Sequence, residues 1–543
     1  MQQQTSNQSS SRARWPLIAF ICALSFFAGG WMMQGARVDA APPGVASPQL
    51  FNEVLGTVSE YFVDSLSRED LYHKATEGLL AELNDPYSSL VEGDDYKQLI
   101  ESTTGNYGGL GMQIDVRDGW ITVVAPLPDT PAERAGLQAG DQVVEVDGKT
   151  TQGLKQDEAL KVLRGTPGTR IEIKVRRPGL AALLPFSIVR ETIHNRSVQP
   201  GTMLHGSIGF VALNPVSETS ANELKEEINN LRKQGMQRLI LDLRGNPGGL
   251  LDQGVAVSDL FLDQGQQIVS TRGRAEGTSK TFADAAPQVW PEMPVVVLVN
   301  EYSASAAEII AGALQDNDRA VVVGTPTFGK GLVQSLFRLP PNRALKLTTA
   351  RWFTPSGRTI QRIAKNEADQ VRLVQSQAAG TDSARLDTLP TFKTVGGRIV
   401  KGGGGIVPDR IVRADTLTDT EKEFGKALGS DVAAYRDALV ATAIDAKQKR
   451  TVTSETFVVD DALRQAVVSR LVAKGVTLSP EAQAHGRSLM DEHIAFEVAR
   501  YVFGRQAELR RRAASDPQVQ AAVALLDASA TPAALMQQAS RAP

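Results

Sequence analysis

A chain of 543 residues is too long for one compact core and predicts roughly three or four domains. Hydrophobic residues at 42% and charged residues at 22% suit a soluble globular protein, and a net charge of −3 (58 basic, 61 acidic) argues against nucleic acid as a partner. The only cysteine, Cys22, excludes an intrachain disulfide, and five histidines without an HExxH pair leave metal or other cofactor chemistry unsupported.

Residues 1–14 carry Arg12 and Arg14 and precede an apolar segment of 19 residues, 15–33. That is about the length that spans a bilayer, and it is long for a signal-peptide core. The arginines predict a cytoplasmic amino terminus and export of the rest to the periplasm or another extracytoplasmic side. Val38-Asp39-Ala40 before Ala41 offers a cleavage pattern, so signal anchor and cleaved signal peptide both stay open. Residues 34–47 read as a linker.

Residues 48–104 have helical apolar spacing (Phe51, Val54, Leu55, Val58; Ala75, Leu79, Leu80, Leu83), broken by Asp85-Pro86. Over 105–178 short β-type runs (121–124, 143–146, 171–175) surround one helix near Gln156–Leu163, which predicts a small β-rich domain. From 179 to 415, apolar strands at 239–243, 295–299 and 321–324 alternate with helical runs at 249–261 and 304–314. This pattern predicts an α/β sheet covered on both faces. Residues 416–543 read as a helical region, with stripes at Leu463, Val467, Leu471 and at Ile494, Val498, Tyr501, Val502. Arg510-Arg511-Arg512 reads as a solvated helix face. The Ala-rich stretch from Ala513 is expected to fray, with Val519, Val523 and Leu526 as an alternative packing stripe.

Three turns of the α/β region carry glycine and polar residues: LDLRGNPGG (241–249), NEYSASAAEI (300–309) and GTPTFGKGLVQ (324–334). Ser303 and Ser305 stand before a helix, where serine is a common cap. A serine there also lies beside unpaired N–H groups that favour an oxyanion. Its hydroxyl needs a base. No histidine is near in sequence, and Lys330, between two glycines, becomes a feasible amine base if burial lowers its pKa. A solvated lysine is the ordinary alternative.

Together these segments resemble the carboxyl-terminal processing (tail-specific) proteases, Ser/Lys-dyad serine peptidases with a PDZ domain. The likeness runs from Asp85-Pro86-Tyr87-Ser88 through AGLQAGDQVVEVDG (135–148), the three turns and RWFTPSGRTIQ (351–361) to GGGGIVPD (402–409). It implies an α/β protease core with a mixed sheet, an inserted β-rich PDZ domain and flanking helical regions. It further implies Ser305 as nucleophile, Lys330 as general base and Gln334 as the group orienting the lysine, one helical turn beyond it if that segment is helical. The N–H groups of Gly249 and Ala306 would form the oxyanion hole, and Asp242 and Arg244 would hold their turn. Gly108, Gly109, Leu110, Gly111 and Met112 match the loop that takes a terminal carboxylate, with Leu110 and Met112 beside an apolar pocket; a plain glycine-rich hairpin is the alternative. The implied partners are protein substrates with accessible carboxyl-terminal tails, an adaptor protein, a second copy in a homo-oligomer, and a membrane at the amino-terminal segment. An exported PDZ scaffold on an inactive protease fold is the competing reading, against which Ser305, Lys330 and Gln334 all stand unsubstituted. The polar stretch 366–388 has no assigned role.

Overall fold

The computed structural model describes residues 48–177, 180–362 and 386–541, together with 369, 372 and 376. The apolar segment 15–33, the linker 34–47 and most of the 366–388 stretch lie outside the described residues. Among the described residues no helix is long and apolar enough to cross a membrane. The chain divides after Glu82 into two compact units.

In the first unit, helices α1 (Pro48–Tyr61) and α2 (Arg68–Ala81) realise the predicted helical spacing. Ser67 caps α2, accepting from the Asp70 N–H while its own N–H donates to the Asp70 carboxylate. No residue of α1 is buried, so Leu50, Phe51 and Val54 form an exposed apolar stripe.

The second unit starts with strand β1 (Ser89–Val91), helix α3 (Gly93–Thr104) and strand β2 (Asn106–Gly109). The β-rich module follows: β3 (Met112–Arg117), β4 (Trp120–Pro126), α4 (Pro131–Arg134), β5 (Gln142–Val146), β6 (Lys149–Thr150), α5 (Gln156–Leu163), β7 (Arg170–Arg176) and β8 (Leu184–Val189). Its sheet runs β3-β4-β5-β7-β8, which leaves β3 at an edge. In β7 every second residue, Ile171, Ile173 and Val175, points inward, the pattern of a sheet covered on one face. The chain leaves the module through β9 (Glu191–His194), which pairs with β2, so entry and exit form one antiparallel ribbon.

The core follows as β10 (Thr202–Met203), β11 (Ile208–Ala212), α6 (Ser220–Lys233), β12 (Arg238–Asp242), α7 (Leu251–Asp259), β13 (Gln267–Gly273), β14 (Lys280–Ala283), β15 (Val295–Val299), α8 (Ala306–Asp316), β16 (Val321–Gly324), β17 (Leu332–Leu339) and β18 (Arg343–Phe353). After a short ribbon, β19 (Thr391–Lys393) and β20 (Ile399–Lys401), comes β21 (Arg410–Ile411). The central sheet is β10-β11-β12-β15-β16-β21, parallel except at β10. Its apolar strands are buried on both sides, as a parallel sheet requires. A second, antiparallel sheet is β1-β18-β13-β14 with β17 also on β18. Residues 89–91, inside the stretch read as helical, are thus a strand paired to residues 344–346, because β18 offers an open edge there.

The last region comprises α9 (Asp419–Leu428), α10 (Val432–Lys449), α11 (Asp461–Ala473), α12 (Pro480–His485), α13 (Arg487–Val498), a π-turn (Ala499–Phe503), α14 (Arg505–Ser515), α15 (Pro517–Asp527) and α16 (Pro532–Arg541). Helices up to α13 share a core built on Phe424, Tyr435, Leu439, Val467, Leu471 and Ile494. Two expectations are corrected here. The stretch after Ala513 does not fray: Val519, Ala522, Leu525 and Leu526 of α15 bury against Ile208, Ile240, Val296 and Val323. They cover the face of the central sheet opposite α6, α7 and α8, each Val or Leu among them being worth about 1.5–3 kcal/mol. Nor is the arginine run only a solvated face, although Arg512 is exposed. Arg510 pairs with Glu455 and donates to Thr202, Arg511 lies over Phe457 and donates to the carbonyls of Glu455 and Phe457, and Arg512 lies over Phe496. Guanidinium planes stack on rings and fork onto carbonyls, so a basic run can serve as a clamp.

Candidate active site

The all-apolar strand β15 delivers the chain to the Asn300–Ala304 turn, after which α8 begins. Ser303 is buried and straps this turn: its hydroxyl donates to the Leu243 carbonyl and accepts from the Asn300 N–H. The Asn300 side chain accepts from the Gly245 N–H, and the Ala304 N–H donates to the Asn246 carbonyl. The 241–249 and 300–309 turns are therefore one hydrogen-bonded body.

Ser305 sits at the N-cap of α8 with φ 55° and ψ −118°, a strained backbone for a residue with a Cβ and the geometry of a sharp strand-to-helix elbow. Among the described residues its hydroxyl makes no capping hydrogen bond; the Glu308 N–H donates instead to the Ser305 carbonyl at 2.8 Å. Gly248 packs directly on this elbow, where a Cβ would stand 2.5 Å from the Ala304 carbonyl oxygen and 2.8 Å from the Ser305 Cβ. Gly249 bridges Val216 through its neighbours: the Val216 N–H donates to the Gly248 carbonyl, and the Leu250 N–H to the Val216 carbonyl. Its own N–H therefore points the other way. Among the described residues neither that N–H nor the N–H of Ala306 has a hydrogen-bond partner.

Lys330 is tied to the same body by Glu308, which sequence reasoning missed. Its carboxylate is fully buried and accepts four bonds: one oxygen from the Thr327 hydroxyl (2.5 Å) and the Gly329 N–H (2.7 Å), the other from the Lys330 N–H (2.9 Å) and the Ser305 N–H (2.8 Å). Burial pushes the Glu308 pKa up, and the four donors act against that push. The signal was present as Ser-x-x-Glu, the capping-box spacing at 305–308, but not the three donors from a turn some twenty residues on.

The Lys330 ammonium donates to Gln334 Oε1 at 3.0 Å and lies 4.7 Å from the centre of the Tyr87 ring. Burial, and then the like charge of Lys346, lower its pKa; Glu308 and Asp85 pull the other way. Gln334 is on strand β17, not on a helix. A β-bulge at Val333/Gln334 shifts the register there, the usual device for re-aiming a side chain. Tyr87 was also missed as a site residue. Its turn is fixed by Asp85, which accepts from the Ser88 hydroxyl and the Tyr87 N–H, and by Ser88, which accepts from the Thr348 N–H. The histidines are engaged elsewhere: His194 with Asn106 and Glu223, His205 with Asp527, His485 with Glu423, His493 with Tyr435, and His73 with Glu77.

Asp242 and Arg244 pair at 2.7 Å at the end of β12, and Arg244 also donates to Asp516 (2.6 Å) and Gln518 (2.9 Å). In the β-rich module Gly108 and Gly109 belong to β2, and the carbonyls of Leu110 and Gly111 turn inward to the N–H groups of Ala132 and Leu127. Among the described residues the N–H groups of Leu110 and Gly111 have no partner. The Leu110 side chain is part of the module core, while Met112, Ile114 and Val116 are half-buried along the edge strand.

The sequence model of peptidase family S41 matches residues 207–368, and that of the PDZ domain matches residues 122–177. A carboxy-terminal-processing protease of Bartonella bacilliformis is 40% identical over 317 residues, covering 58% of this chain and 72% of that protein. The carboxy-terminal processing protease CtpA of Bacillus subtilis is 34% identical over 369 residues, covering 68% of this chain and 76% of that protein. Among solved structures, the photosystem II D1 C-terminal processing protease aligns with 62% of this chain and 99% of its own, at 27% identity and a TM-score of 0.33. A mixed α/β core of the S41 peptidases, a PDZ module and relatives of this coverage place the chain among the carboxy-terminal processing proteases.

Proposed function

We propose that the protein is an exported serine endopeptidase that takes substrates by their carboxyl-terminal tails and cleaves them with Ser305 and Lys330. The observation that carries this reading is the Glu308 carboxylate, which holds the Ser305 and Lys330 N–H groups on one oxygen and so joins the two turns. The lysine amine, neutral once its lowered pKa is passed, takes the proton of the Ser305 hydroxyl as Oγ attacks the peptide carbonyl carbon. The oxyanion is received by the N–H groups of Gly249 and Ala306, fixed donors that need no reorganisation. The lysine then protonates the leaving amine, and water hydrolyses the acyl-enzyme by the same path in reverse. Gln334, which accepts from the amine, is the residue that orients it in this scheme.

Tail capture rests on the N–H groups of Leu110 and Gly111, which suit a carboxylate, and on β3, an edge strand to which an extended peptide can add. Export rests on the arginine-flanked segment 15–33. The test is cleavage of an unfolded protein by the purified chain and by Ser305→Ala and Lys330→Ala. Each variant is expected to lose nearly all hydrolysis while remaining folded, and the double variant to be no worse than either. Full activity in Lys330→Ala would remove the lysine from the scheme, and an inactive parent chain would favour a binding scaffold.

A further inference from the structure

Helix α14 has a different contact at each end. Ahead of its start, in the π-turn that extends α13 and is separated from α14 by Gly504, the Tyr501 hydroxyl accepts from the Arg117 guanidinium at 3.2 Å. Arg117 ends β3, and its side chain is only 10% exposed. The same strand and its turn are gripped twice more: Asp115 by Arg436 at 3.3 Å, and Asp118 by Lys474, which also holds Asp437. At the other end of α14, Asp516 caps α15 with one oxygen, accepting from the N–H groups of Gln518 and Val519. Its other oxygen takes Arg244, which is clamped to Asp242 in the turn that presents Gly249. Fourteen residues, Val502–Ser515, lie between the two contacts: the end of the π-turn, Gly504 with φ 97° and ψ 175°, and the 11 residues of α14, about 16 Å of helix.

That helix is fixed along its length by buried Ala507 and Ala513, by Arg510 and Arg511, and by Gln506, which donates to the Gly201 carbonyl. It is therefore held as a rod from Arg505 to Ser515, and the π-turn that carries Tyr501 joins it through Gly504. The π-turn at its start is an irregularity of the kind that gathers at functional sites. The two family models cover 122–177 and 207–368, so the rod belongs to neither.

We propose that the carboxyl-terminal helical region couples the tail-binding strand to the oxyanion turn, with Asp516 and Gln518 acting as positioning residues for that turn through Arg244. The inference rests on the function proposed above. A tail added to β3 runs from Met112 toward Arg117, so a ligand of about six residues reaches the gripped end of the strand. Its presence is read by Tyr501 and passed along α14 to Asp516.

The test uses the full chain with a short blocked peptide, a protein substrate with a free carboxyl terminus, and the same substrate amidated. Asp, Asn and Ser all cap helices well, but only Asp offers Arg244 a charge and only Asp and Asn can reach it. On the short peptide kcat should fall in the order parent, Asp516→Asn, Asp516→Ser, by about tenfold at the last step, with KM unchanged. Gln518→Ala should fall between parent and Asp516→Ser. A purely structural cap predicts equal kcat for all three residues at 516, and that result overturns the positioning role. Tyr501→Phe should leave short-peptide cleavage intact while the free-acid to amide ratio of kcat/KM moves toward one, and Arg436→Ala should do the same. Combining Tyr501→Phe with Asp516→Ser should change that ratio no further than either alone. A ratio untouched by both clasp variants, or additive effects, overturns the coupling. Cleavage surviving in Ser305→Ala would instead indict the underlying reading, independently of these outcomes.

Discussion

Two places in this molecule present backbone N–H groups that have no partner among the described residues, and they are built differently. In the β-rich module the loop at 110–111 offers backbone N–H groups, with its carbonyls turned inward to Ala132 and Leu127. In the core the Gly249 and Ala306 N–H groups likewise have no partner among the described residues, but the groups that would do chemistry are side chains, Ser305 and Lys330, on turns far apart in sequence. Those turns are joined by one buried carboxylate. A backbone site tolerates most side-chain changes and fails when its conformation is disturbed. A side-chain site is brittle at every residue that sets a distance.

The largest break in that comparison is expected at Glu308. Glu308→Gln places an N–H₂ where an oxygen accepts two donors, stranding buried donors at about 1–3 kcal/mol each. We expect a loss of several kcal/mol in denaturant unfolding and of nearly all hydrolysis. A stable, active Glu308→Gln would mean that the two turns are held by something else.

Next is the pH response of Lys330. Its folded pKa lies below the ordinary lysine value, so activity should rise with pH through that lowered pKa and level off earlier than an ordinary lysine would allow. The stability sign follows from proton binding. Between the lowered folded pKa and the unfolded value near 10.5 the unfolded chain holds a proton that the folded chain has lost, so stability rises with pH across that window. Melting curves of the parent and Lys330→Met against pH should diverge in that direction; parallel curves would deny the shift.

Gln334→Ala should cost about tenfold in kcat, the worth of one orienting hydrogen bond, with the pH profile displaced as the lysine loses its partner. An unmoved profile and rate would take Gln334 out of the site. The smallest expected effect sharpens the other half of the comparison. Gly111 has φ +75°, and a Cβ there would stand 2.3 Å from the Thr130 side chain. Gly111→Ala should raise KM several-fold for a free-acid substrate and far less for its amide. Equal KM changes for both substrates would argue against a carboxylate at this loop.

The sequence alone determined the elements and the chemistry-bearing turns. Strands 295–299 and 321–324 and the helix at 156–163 lie where the residue periodicity placed them, because side-chain period and β-branching act locally. Glycines and small residues marked the turns of Ser305 and Lys330, but a capping serine and a solvated lysine stayed open there, and it was the resemblance to the tail-specific proteases that singled out Ser305, Lys330 and Gln334. Only the tertiary structure decided what holds them. Glu308 looked like half of a capping box, and three of its four donors come from a turn that adjoins it only when β15 and β16 lie side by side. Tyr87 looked like part of a helix-breaking turn until β1 paired with β18 and brought its ring over Lys330. The Ala-rich terminus looked weak because helix propensity and a short apolar stripe are small terms in isolation. It is ordered because the central sheet has a second apolar face to cover, and burial against that face outweighs the local preference to fray.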